Sequence, residues 1–576
     1  MNYAASAHPD ITAKLPGWRA TVLFCVLLAG FAGLVGRAVY LQGIHDDFLK
    51  KKGDARYSRV IEVSAHRGMI TDRNGEPLAV STPVESVWAS PQDVEADRGQ
   101  IKKLSQVLGM EMREVQNRLF NISRDFVYLK RQLPPDQVEK VVSLNIPGVL
   151  LQREYRRYYP AGEEAAQTLG FTGQDDNGQE GLELAFQERL AGKRGSQRVI
   201  KDRRGYIVED VGSLREPKHG EDVRLSIDSK IQYLAYRELK NAVVSHQAKS
   251  GSVVVLDALS GEVLALASYP SFNPNNRGNS GSKAMRNRAI ADLFEPGSTM
   301  KPFTVAAALE EGKVSFNTVI NTENGVFRLG GRRIHDTHPE PSLTVAQVVQ
   351  KSSNIGSAKI ALSMTPKALR QHFSNIGFGE PSGSNFPGEA AGKLRDAKAW
   401  RPIEHATISY GHGISVNLMQ LARAYTIFAN EGELIPVSLL KQDIPPEKKR
   451  IFSGRTVLAV RDMLEMVVSA EGTAPLAQVA GYRVAGKTGT AHKLENGRYI
   501  DRYVASFVGI APASRPRIVV AVMIDEPSKG EYYGGQVAAP VFSKVTGAAL
   551  HSLNVPNDAP LNNVIIPSAN IVKEEV

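Results

Sequence analysis

The stretch Glu295-Pro296-Gly297-Ser298-Thr299-Met300-Lys301-Pro302-Phe303-Thr304 places a nucleophile and a base at the start of a predicted helix. A Glu-Pro-Gly turn precedes the helix and Pro302 falls in its first turns, as is typical where helices begin. Ser298 and Lys301 would share one helix face, and the serine would lie where the helix dipole favours negative charge. A hydroxyl with an amine one turn away is what acyl transfer through a serine needs.

Two other S-x-x-K strings occur in the chain, Ser280 with Lys283 and Ser438 with Lys441. Roughly two such strings are expected by chance in a chain of this length, so the string alone decides little. Ser280 lies in a Gly- and Asn-rich loop, and Ser438 follows Pro436 without a helix start. The local context therefore favours the string of Ser298 and Lys301.

Lysine is a poor base at its reference pKa of about 10.4, so Lys301 needs burial or a second cation nearby. The string Gly486-Lys487-Thr488-Gly489-Thr490 could supply that cation from the edge of a sheet. Between the Ser298 string and the Lys487 string lies Ser352-Ser353-Asn354, an S-x-N string. The hydroxyl of Ser352 could relay a proton, and the amide of Asn354 could hold a peptide carbonyl.

The amino-terminal part of the chain predicts a membrane anchor. Ala20 to Gly36 carries no charge, and a span of roughly 20 apolar residues matches the ~30 Å hydrocarbon core. Lys14 and Arg19 precede the run, which favours a cytoplasmic tail at 1–19 and a transmembrane helix at 20–41. The alternatives are a cleaved signal peptide, although no A-x-A site ends the run, and a buried core helix.

The remainder of the chain predicts an α+β protein in successive modules. Residues 42–222 are mixed and rich in charge, with a strand–turn–strand and short amphipathic helices, and we expect an elongated α+β spacer there. In 223–556, apolar hairpins at both ends enclose helical stretches, which favours one sheet built from distant segments with helices packed on it. Residues 557–576 predict a disordered tail.

Composition narrows the possible functions. The net charge is +10, but Lys and Arg are spread along the chain and form no dense basic run, so we expect no nucleic-acid partner. The single cysteine, Cys25, excludes an intramolecular disulfide and a cysteine cluster for zinc. We expect neither a metal nor an organic cofactor.

Taken in order, S-x-x-K, S-x-N and K-T-G resemble the signature of penicillin-binding proteins and serine β-lactamases. The strings Ala65 to Gly75, Tyr159 to Gly162 and Glu180 to Glu183 resemble motifs of the non-catalytic module of class B penicillin-binding proteins. Ser409 to Gly413 and Asp525 to Pro527 resemble the divisional, septal subgroup, penicillin-binding protein 3. We see no glycosyltransferase module in the sequence, which is what class B implies.

The resemblance implies a serine penicillin-recognising transpeptidase fold with an antiparallel sheet flanked by helices. It implies these site residues: catalytic Ser298, Lys301, Ser352, Asn354 and Lys487, and substrate-binding Thr488, Gly489 and Thr490. Ser298 would attack the penultimate D-Ala carbonyl of a stem peptide, with Lys301 as general base, and an amine from a second stem would resolve the acyl-enzyme. The N–H groups of Ser298 and Thr490 would form the oxyanion hole.

The resemblance also implies partners and a location. The substrates would be peptidoglycan stem peptides ending in D-Ala-D-Ala, and β-lactams would acylate the same serine. The protein would be single-pass in the bacterial inner membrane with a periplasmic catalytic domain. It would act with a lipid II polymerase and other division proteins.

Two positions depart from the family pattern. His412 stands where the family usually has tyrosine, and Asn417 where it often has threonine, which allows a specialised paralogue as well as the main divisional enzyme. A histidine near the site could make activity pH-dependent; the alternative is a surface or packing role.

Three other functions compete with this interpretation. Gly481 to Thr488 matches the P-loop pattern, which requires a strand before it and a helix after it. A β-lactam or D-Ala-D-Ala hydrolase shares the three motifs, but the sequence lacks the E-x-x-L-N string of class A hydrolases. A divisome scaffold with little catalysis is the third alternative.

Overall fold

The computed structural model describes residues 17–44, 58–201, 207–278, 281–495 and 497–565. Contacts divide the chain into two compact units. The first unit contains residues up to 64, 84–154 and 194–218, and the second contains 65–83, 155–193 and 219 onward. The second unit carries all the predicted site residues.

The chain begins with an apolar helix, Gly17–Val39, which continues as a wider helical turn over Tyr40–Ile44. No residue of the helix is buried, and the span Gly17–Gly43 has a mean hydropathy of 2.2. The interpretation as a buried core helix is therefore wrong. The helix and the wider turn together contain the predicted membrane-spanning segment 20–41, whereas residues 1–16 of the predicted cytoplasmic tail lie outside the described residues.

The first unit combines a small sheet with an apolar cluster. Its antiparallel sheet has the order Ser58–Val63, Gly195–Lys201, Ile207–Arg215. Its helices are Arg98–Leu108, Met112–Leu119 and Pro135–Ser143, beside the strand Val127–Leu133. Leu104, Leu108, Val115 and Leu129 are buried together, so the predicted amphipathic helices are confirmed, except that the stretch predicted from Lys102 to Leu119 is divided into two helices after Leu108.

The three strings that resemble non-catalytic motifs lie in the second unit, where Glu183 joins Arg67 to Arg157, two residues before Tyr159. The strands Ile70–Thr71 and Pro77–Ala89 pair as the predicted strand–turn–strand. Glu183 accepts hydrogen bonds from Arg67 Nε at 2.7 Å and from Arg157 Nε at 2.6 Å, and all three side chains are at most 1% exposed. A buried carboxylate is tolerated only when it is paired in this way.

The second unit is built on a five-stranded antiparallel sheet. Its strands are β1 (Ser250–Asp257), β2 (Val263–Tyr269), β3 (Ala485–Glu495), β4 (Arg498–Ala511) and β5 (Ile518–Asp525). The order is β2-β1-β5-β4-β3, so the two predicted hairpins join into one sheet and β3 forms an edge. Residues of β1 are buried along its whole length, because helices cover both faces.

Helices Ser229–Ser245 and Ala539–Ser552 contact each other and the sheet, and Leu418–Ala429 also contacts β1, β4 and β5. The other helices of eight or more residues here are Lys301–Glu310, Asn354–Leu362, Pro366–Ile376 and Gly454–Val468. Shorter helices are Ala166–Leu169, Gly181–Ala185, Gln187–Leu190, Ser282–Met285, Arg288–Ala291, Val345–Gln350, Pro402–Ile408 and Gly534–Val537. Small strand pairs are Phe171–Thr172 with Gly178–Glu180, Val319–Asn321 with Ser342–Thr344, Val326–Leu329 with Arg332–His335, and Glu433–Leu434 with Lys449–Arg450.

The predicted α+β class is thus confirmed. Part of the predicted tail packs on this unit: Asp558 accepts a hydrogen bond from Arg483 N at 2.7 Å, and Asn563 donates to Tyr482 O at 2.9 Å. Residues 566–576 lie outside the described residues.

Candidate active site

Ser298 lies in a tight helical turn, Gly297–Met300, that leads directly into the helix Lys301–Glu310. The predicted helix start is therefore confirmed, with Pro302 at its beginning. Ser298 is 3% exposed and Lys301 is fully buried. The ammonium of Lys301 also lies 6.0 Å from the centre of the Tyr410 ring.

The K-T-G-T string lies on the edge strand β3, as predicted, where Lys487 pairs with Val508 of β4. A side-chain carbon on Gly489 would lie 2.6 Å from Ser506 Oγ and 2.8 Å from the carbonyl oxygen of Pro296. Glycine is therefore required for the loop that carries Ser298 to approach β3 this closely. Because Lys487 lies within β3, and β3 is followed by the strand β4 and not by a helix, the P-loop interpretation is wrong.

Two lysines converge on the hydroxyl of Ser352. Lys301 Nζ donates to Ser352 Oγ at 3.1 Å, and Lys487 Nζ donates to the same oxygen at 3.0 Å. Lys301 Nζ also donates to the carbonyl oxygen of Ser352. Ser352 adopts a φ of +62°, a left-handed conformation that is unfavourable for serine. This backbone turns both its hydroxyl and its carbonyl toward Lys301.

A carboxylate that the sequence interpretation missed fixes the S-x-N segment. Asp336 Oδ1 accepts hydrogen bonds from the backbone N–H of Asn354 at 2.7 Å and of Ile355 at 3.0 Å. Ser353, the cap of the helix Asn354–Leu362, donates its hydroxyl to Asp336 Oδ2. Asp336 is therefore a positioning residue, and its only signal in the sequence is an acidic residue after a short strand.

The threonines of β3 have partners from other loops. Thr488 Oγ1 accepts from Lys487 Nζ at 3.1 Å and lies 2.9 Å from Thr473 Oγ1. Thr490 Oγ1 accepts from Gly534 N at 2.9 Å. Thr473 and Gly534 were also missed, because nothing in the sequence ties either to the K-T-G-T string.

His412 lies in an aromatic cluster beside this site. Its ring is 5.3 Å from the Tyr410 ring and 5.8 Å from the Tyr499 ring, measured between centroids. Burial, with smaller contributions from the charges of Lys301 and His492, lowers the pKa of His412 to about 4. The imidazole is therefore neutral near pH 7, which favours the packing role.

The cluster continues to a carboxylate three residues before Ser298. Glu295 accepts hydrogen bonds from the Tyr499 hydroxyl at 3.0 Å and from Gly413 N at 2.8 Å. Burial raises the pKa of Glu295 above its ordinary value.

Asn417, the second departure, has a local explanation. Its Oδ1 accepts from Gln420 N at 2.7 Å, and Gln420 Oε1 accepts from Asn417 N at 2.8 Å. These reciprocal bonds cap the helix Leu418–Ala429, a role that asparagine and threonine both fill.

The competing S-x-x-K string of Ser438 and Lys441 serves local structure. Ser438 donates to Leu440 O at 2.8 Å, and Lys441 pairs with Glu262 at 2.8 Å, so both serve local structure. Ser280 lies outside the described residues. Among the residues that the structure describes, no group of three or more His, Cys, Asp or Glu side chains could hold a metal ion.

Two family models and several known proteins match this chain. The penicillin-binding protein transpeptidase domain matches residues 251–547, and the penicillin-binding protein dimerisation domain matches residues 62–225. Over 555 residues, the protein is 43% identical to the peptidoglycan D,D-transpeptidase FtsI of Escherichia coli, covering 95% of this chain and 94% of FtsI. It is 44% identical to the probable peptidoglycan D,D-transpeptidase PenA of Neisseria meningitidis, covering 92% of each chain.

Solved structures extend the likeness. The transpeptidase domain of Burkholderia pseudomallei penicillin-binding protein 3 is 51% identical with a TM-score of 0.55, covering 58% of this chain and 98% of that one. A peptidoglycan synthetase from Bifidobacterium adolescentis is 25% identical with a TM-score of 0.70, covering 90% of this chain and 100% of that one. The apolar amino-terminal helix fits a membrane-anchored protein. The chain therefore belongs to the class B penicillin-binding proteins, the family of peptidoglycan D,D-transpeptidases that act on stem peptides and bind β-lactams.

Proposed function

We propose that the protein cross-links stem peptides through an acyl-enzyme on Ser298 during septal wall synthesis, and that β-lactams acylate the same serine. The observation that carries the proposal is the convergence of Lys301 and Lys487 on the Ser352 hydroxyl. Burial and a nearby like charge both disfavour a charged lysine. Both conditions are present at Lys301, as a lysine that acts as general base beside a serine requires.

In the proposed first half-reaction, Ser298 Oγ attacks the penultimate D-Ala carbonyl carbon while Lys301 Nζ takes its proton. The N–H groups of Ser298 and Thr490 stabilise the oxyanion. The C–N bond then breaks, and the D-Ala amine leaves with a proton delivered through Ser352. In the second half-reaction an acceptor amine attacks the ester, loses its proton to Lys301, and Ser298 recovers its own.

The remaining site residues would hold the donor. The hydroxyls of Thr488 and Thr490 would bind the carboxylate of the donor stem or of a β-lactam, beside Gly489. The amide of Asn354 would hold a peptide carbonyl, and Lys487 would supply a fixed positive charge. The 8% exposure of Asn354 and the 3.0 Å distance from Lys487 Nζ to Ser352 Oγ fit these roles.

We also propose the cellular arrangement. Residues 20–41 would span the bacterial inner membrane once, with residues 42–222 as a periplasmic spacer and 223–556 as the periplasmic transpeptidase domain. A lipid II polymerase and other division proteins would be the partners of the anchor and spacer. His412 and Asn417, the two positions that differ from the family pattern, would fit both a main divisional enzyme and a specialised paralogue.

The test is a denaturing gel of membranes labelled with a fluorescent penicillin, comparing wild type, Ser298→Ala and Ser438→Ala. Ser438 is a matched control because it also opens an S-x-x-K string but bonds to a local carbonyl. We expect stable label on wild type and Ser438→Ala and none on Ser298→Ala. A label that fades within minutes would indicate a hydrolase. In a separate complementation test, survival of cells that are depleted of the wild-type protein and supplied with Ser298→Ala would indicate a scaffold.

A further inference from the structure

A cleft of about 640 Å³ opens at the end of the sheet where β1 begins and β5 ends. Its lining includes Lys249, Asp501, Arg502, Tyr503, Glu526 and Tyr532. The cleft is separate from the Ser298 turn, and none of these residues was singled out as part of the reaction site. Its size is in the range that holds part of a peptide.

The ring of Tyr503, which lines this cleft, contacts β3. The Tyr503 and Tyr532 rings stack at 4.1 Å with planes 15° apart, and the His492 ring of β3 lies 4.6 Å from Tyr503. Tyr532 is also two residues before Gly534, which donates to Thr490. A molecule in the cleft would therefore lie beside the strand that is proposed to hold the donor.

The floor of the cleft carries a fixed negative charge. Glu526 lies 2.7 Å from Lys249, 2.6 Å from Lys493 and 3.2 Å from Arg502. Burial alone would raise the pKa of Glu526, but hydrogen bonds from Lys249 and Lys493 lower it to about 2. Glu526 therefore stays ionised and holds the cations in place.

The cations face outward and have unused donors. Lys249 and Arg502 are 56% and 58% exposed, whereas Glu526 is 15% exposed. An ammonium has three N–H donors and a guanidinium has five, more than one shared carboxylate can accept. The exposed donors of Lys249 and Arg502 can therefore bind a second carboxylate, and the stacked tyrosines offer an apolar wall beside it.

Asp501 also lines the cleft and has a different partner. Its Oδ1 accepts the Tyr503 hydroxyl at 2.6 Å, so it fixes the ring. The cleft thus presents the cations of Lys249 and Arg502 and the carboxylate of Asp501 to a ligand. These charges are complementary to a peptide that carries carboxylates as well as an amine.

We infer that this cleft binds a free carboxylate of the acceptor stem peptide through Lys249 and Arg502. The inference rests on the proposed transpeptidase function, in which the donor carboxylate is already bound at Thr488 and Thr490. The second stem must approach the acyl-enzyme from another direction, and the cleft beyond Tyr503 lies next to β3. Recognition there would select the acceptor without touching the acylation step.

The test uses the full-length protein in detergent, a synthetic thioester donor and two acceptors. The acceptors are a stem tripeptide ending in a diamino acid with free carboxylates, and the same tripeptide with every carboxyl group amidated. For exposed charge pairs we expect wild type to favour the free acid by about fivefold in the acceptor KM. The double variant Lys249→Gln/Arg502→Gln should lose this preference and retain wild-type acylation by a fluorescent penicillin.

The matched control is Arg450→Gln, because Arg450 is 54% exposed and pairs with Glu433 at 2.7 Å outside the cleft. It should keep the preference. The inference is overturned if wild type shows no preference for the free-acid acceptor, or if the double variant retains that preference. It is also overturned if the double variant loses donor acylation while the single variant Arg502→Gln keeps the preference. Failure of the proposed function would appear separately, as absence of penicillin label on wild type.

Discussion

Replacing His412 with tyrosine, the residue usual at this position in the family, should change how stability depends on pH. Tyrosine keeps an aromatic ring against Tyr410 and Tyr499, whose centroids lie 5.3 and 5.8 Å from the histidine ring. It removes the group that titrates. The pKa of His412 is lowered to about 4 by burial, helped by the charge of Lys301, whereas the ordinary value is 6.5.

The direction of the pH effect on stability depends on whether the folded or the unfolded chain binds the proton more readily. Because the folded pKa is below the unfolded one, the unfolded chain takes up a proton first as pH falls, and stability is lost between about pH 6.5 and 4. At pH 5 the unfolded histidine is almost fully protonated and the folded one mostly neutral. At ~1.4 kcal/mol per pKa unit, the wild type should lose about 2 kcal/mol between pH 8 and pH 5 through this group.

The assay is thermal unfolding of wild type and His412→Tyr in the same detergent at pH 8, 6.5 and 5. For a large domain, 2 kcal/mol corresponds to a melting temperature shift of about 4 °C, so wild type should lose about 4 °C more than the variant on acidification. Acylation rates between pH 6 and 8 should have the same pH profile in both proteins, because His412 is neutral throughout. Parallel melting curves, or an acylation profile that shifts in the variant, would refute this assignment of the histidine.

Three further variants test the framework of the site. Asp336→Asn should lower the acylation rate by about tenfold in a chromogenic cephalosporin assay, because the carboxylate that aligns Asn354 loses its charge. An unchanged rate would show that the Asp336 carboxylate is dispensable for acylation. Gly411→Ala should abolish penicillin labelling, since its φ is +89° and the new methyl would lie 2.2 Å from the Gly297 oxygen; normal labelling would contradict this packing. Glu183→Gln should cost about 3–5 kcal/mol of unfolding free energy, because two buried arginines lose their charge partner; a change below about 1 kcal/mol in denaturant unfolding would disprove the pairing.

Local patterns predicted the parts of the site that are defined by neighbours along the chain. The Glu-Pro-Gly turn and Pro302 marked the helix start at Ser298, and apolar runs on either side of turns marked the hairpins of the sheet. Chance matches such as Ser438 with Lys441 were separated by the same local signals, because they lack a helix start.

The supporting residues were missed because their partners are distant in sequence. Asp336 reaches Ser353 across 17 residues, and Thr473 reaches Thr488 across 15, with no periodicity that links them. The cleft at Glu526 was missed for the same reason, since Lys249 and Glu526 are 277 residues apart. Such contacts follow from the closing of the sheet, which single-sequence patterns do not specify.

The buried triad of Arg67, Arg157 and Glu183 bears on how the chain is divided. These residues come from strings that the sequence assigned to a spacer at 42–222, yet they lie in the compact unit that carries Ser298. Asp72 from the same region accepts the Ser229 hydroxyl at 2.8 Å at the start of a helix that packs on the sheet. A boundary between residues 222 and 223 would leave this triad whole but would break the Asp72–Ser229 hydrogen bond and the Arg73–Glu262 ion pair, so fragments that begin at 223 should be less stable than the full chain.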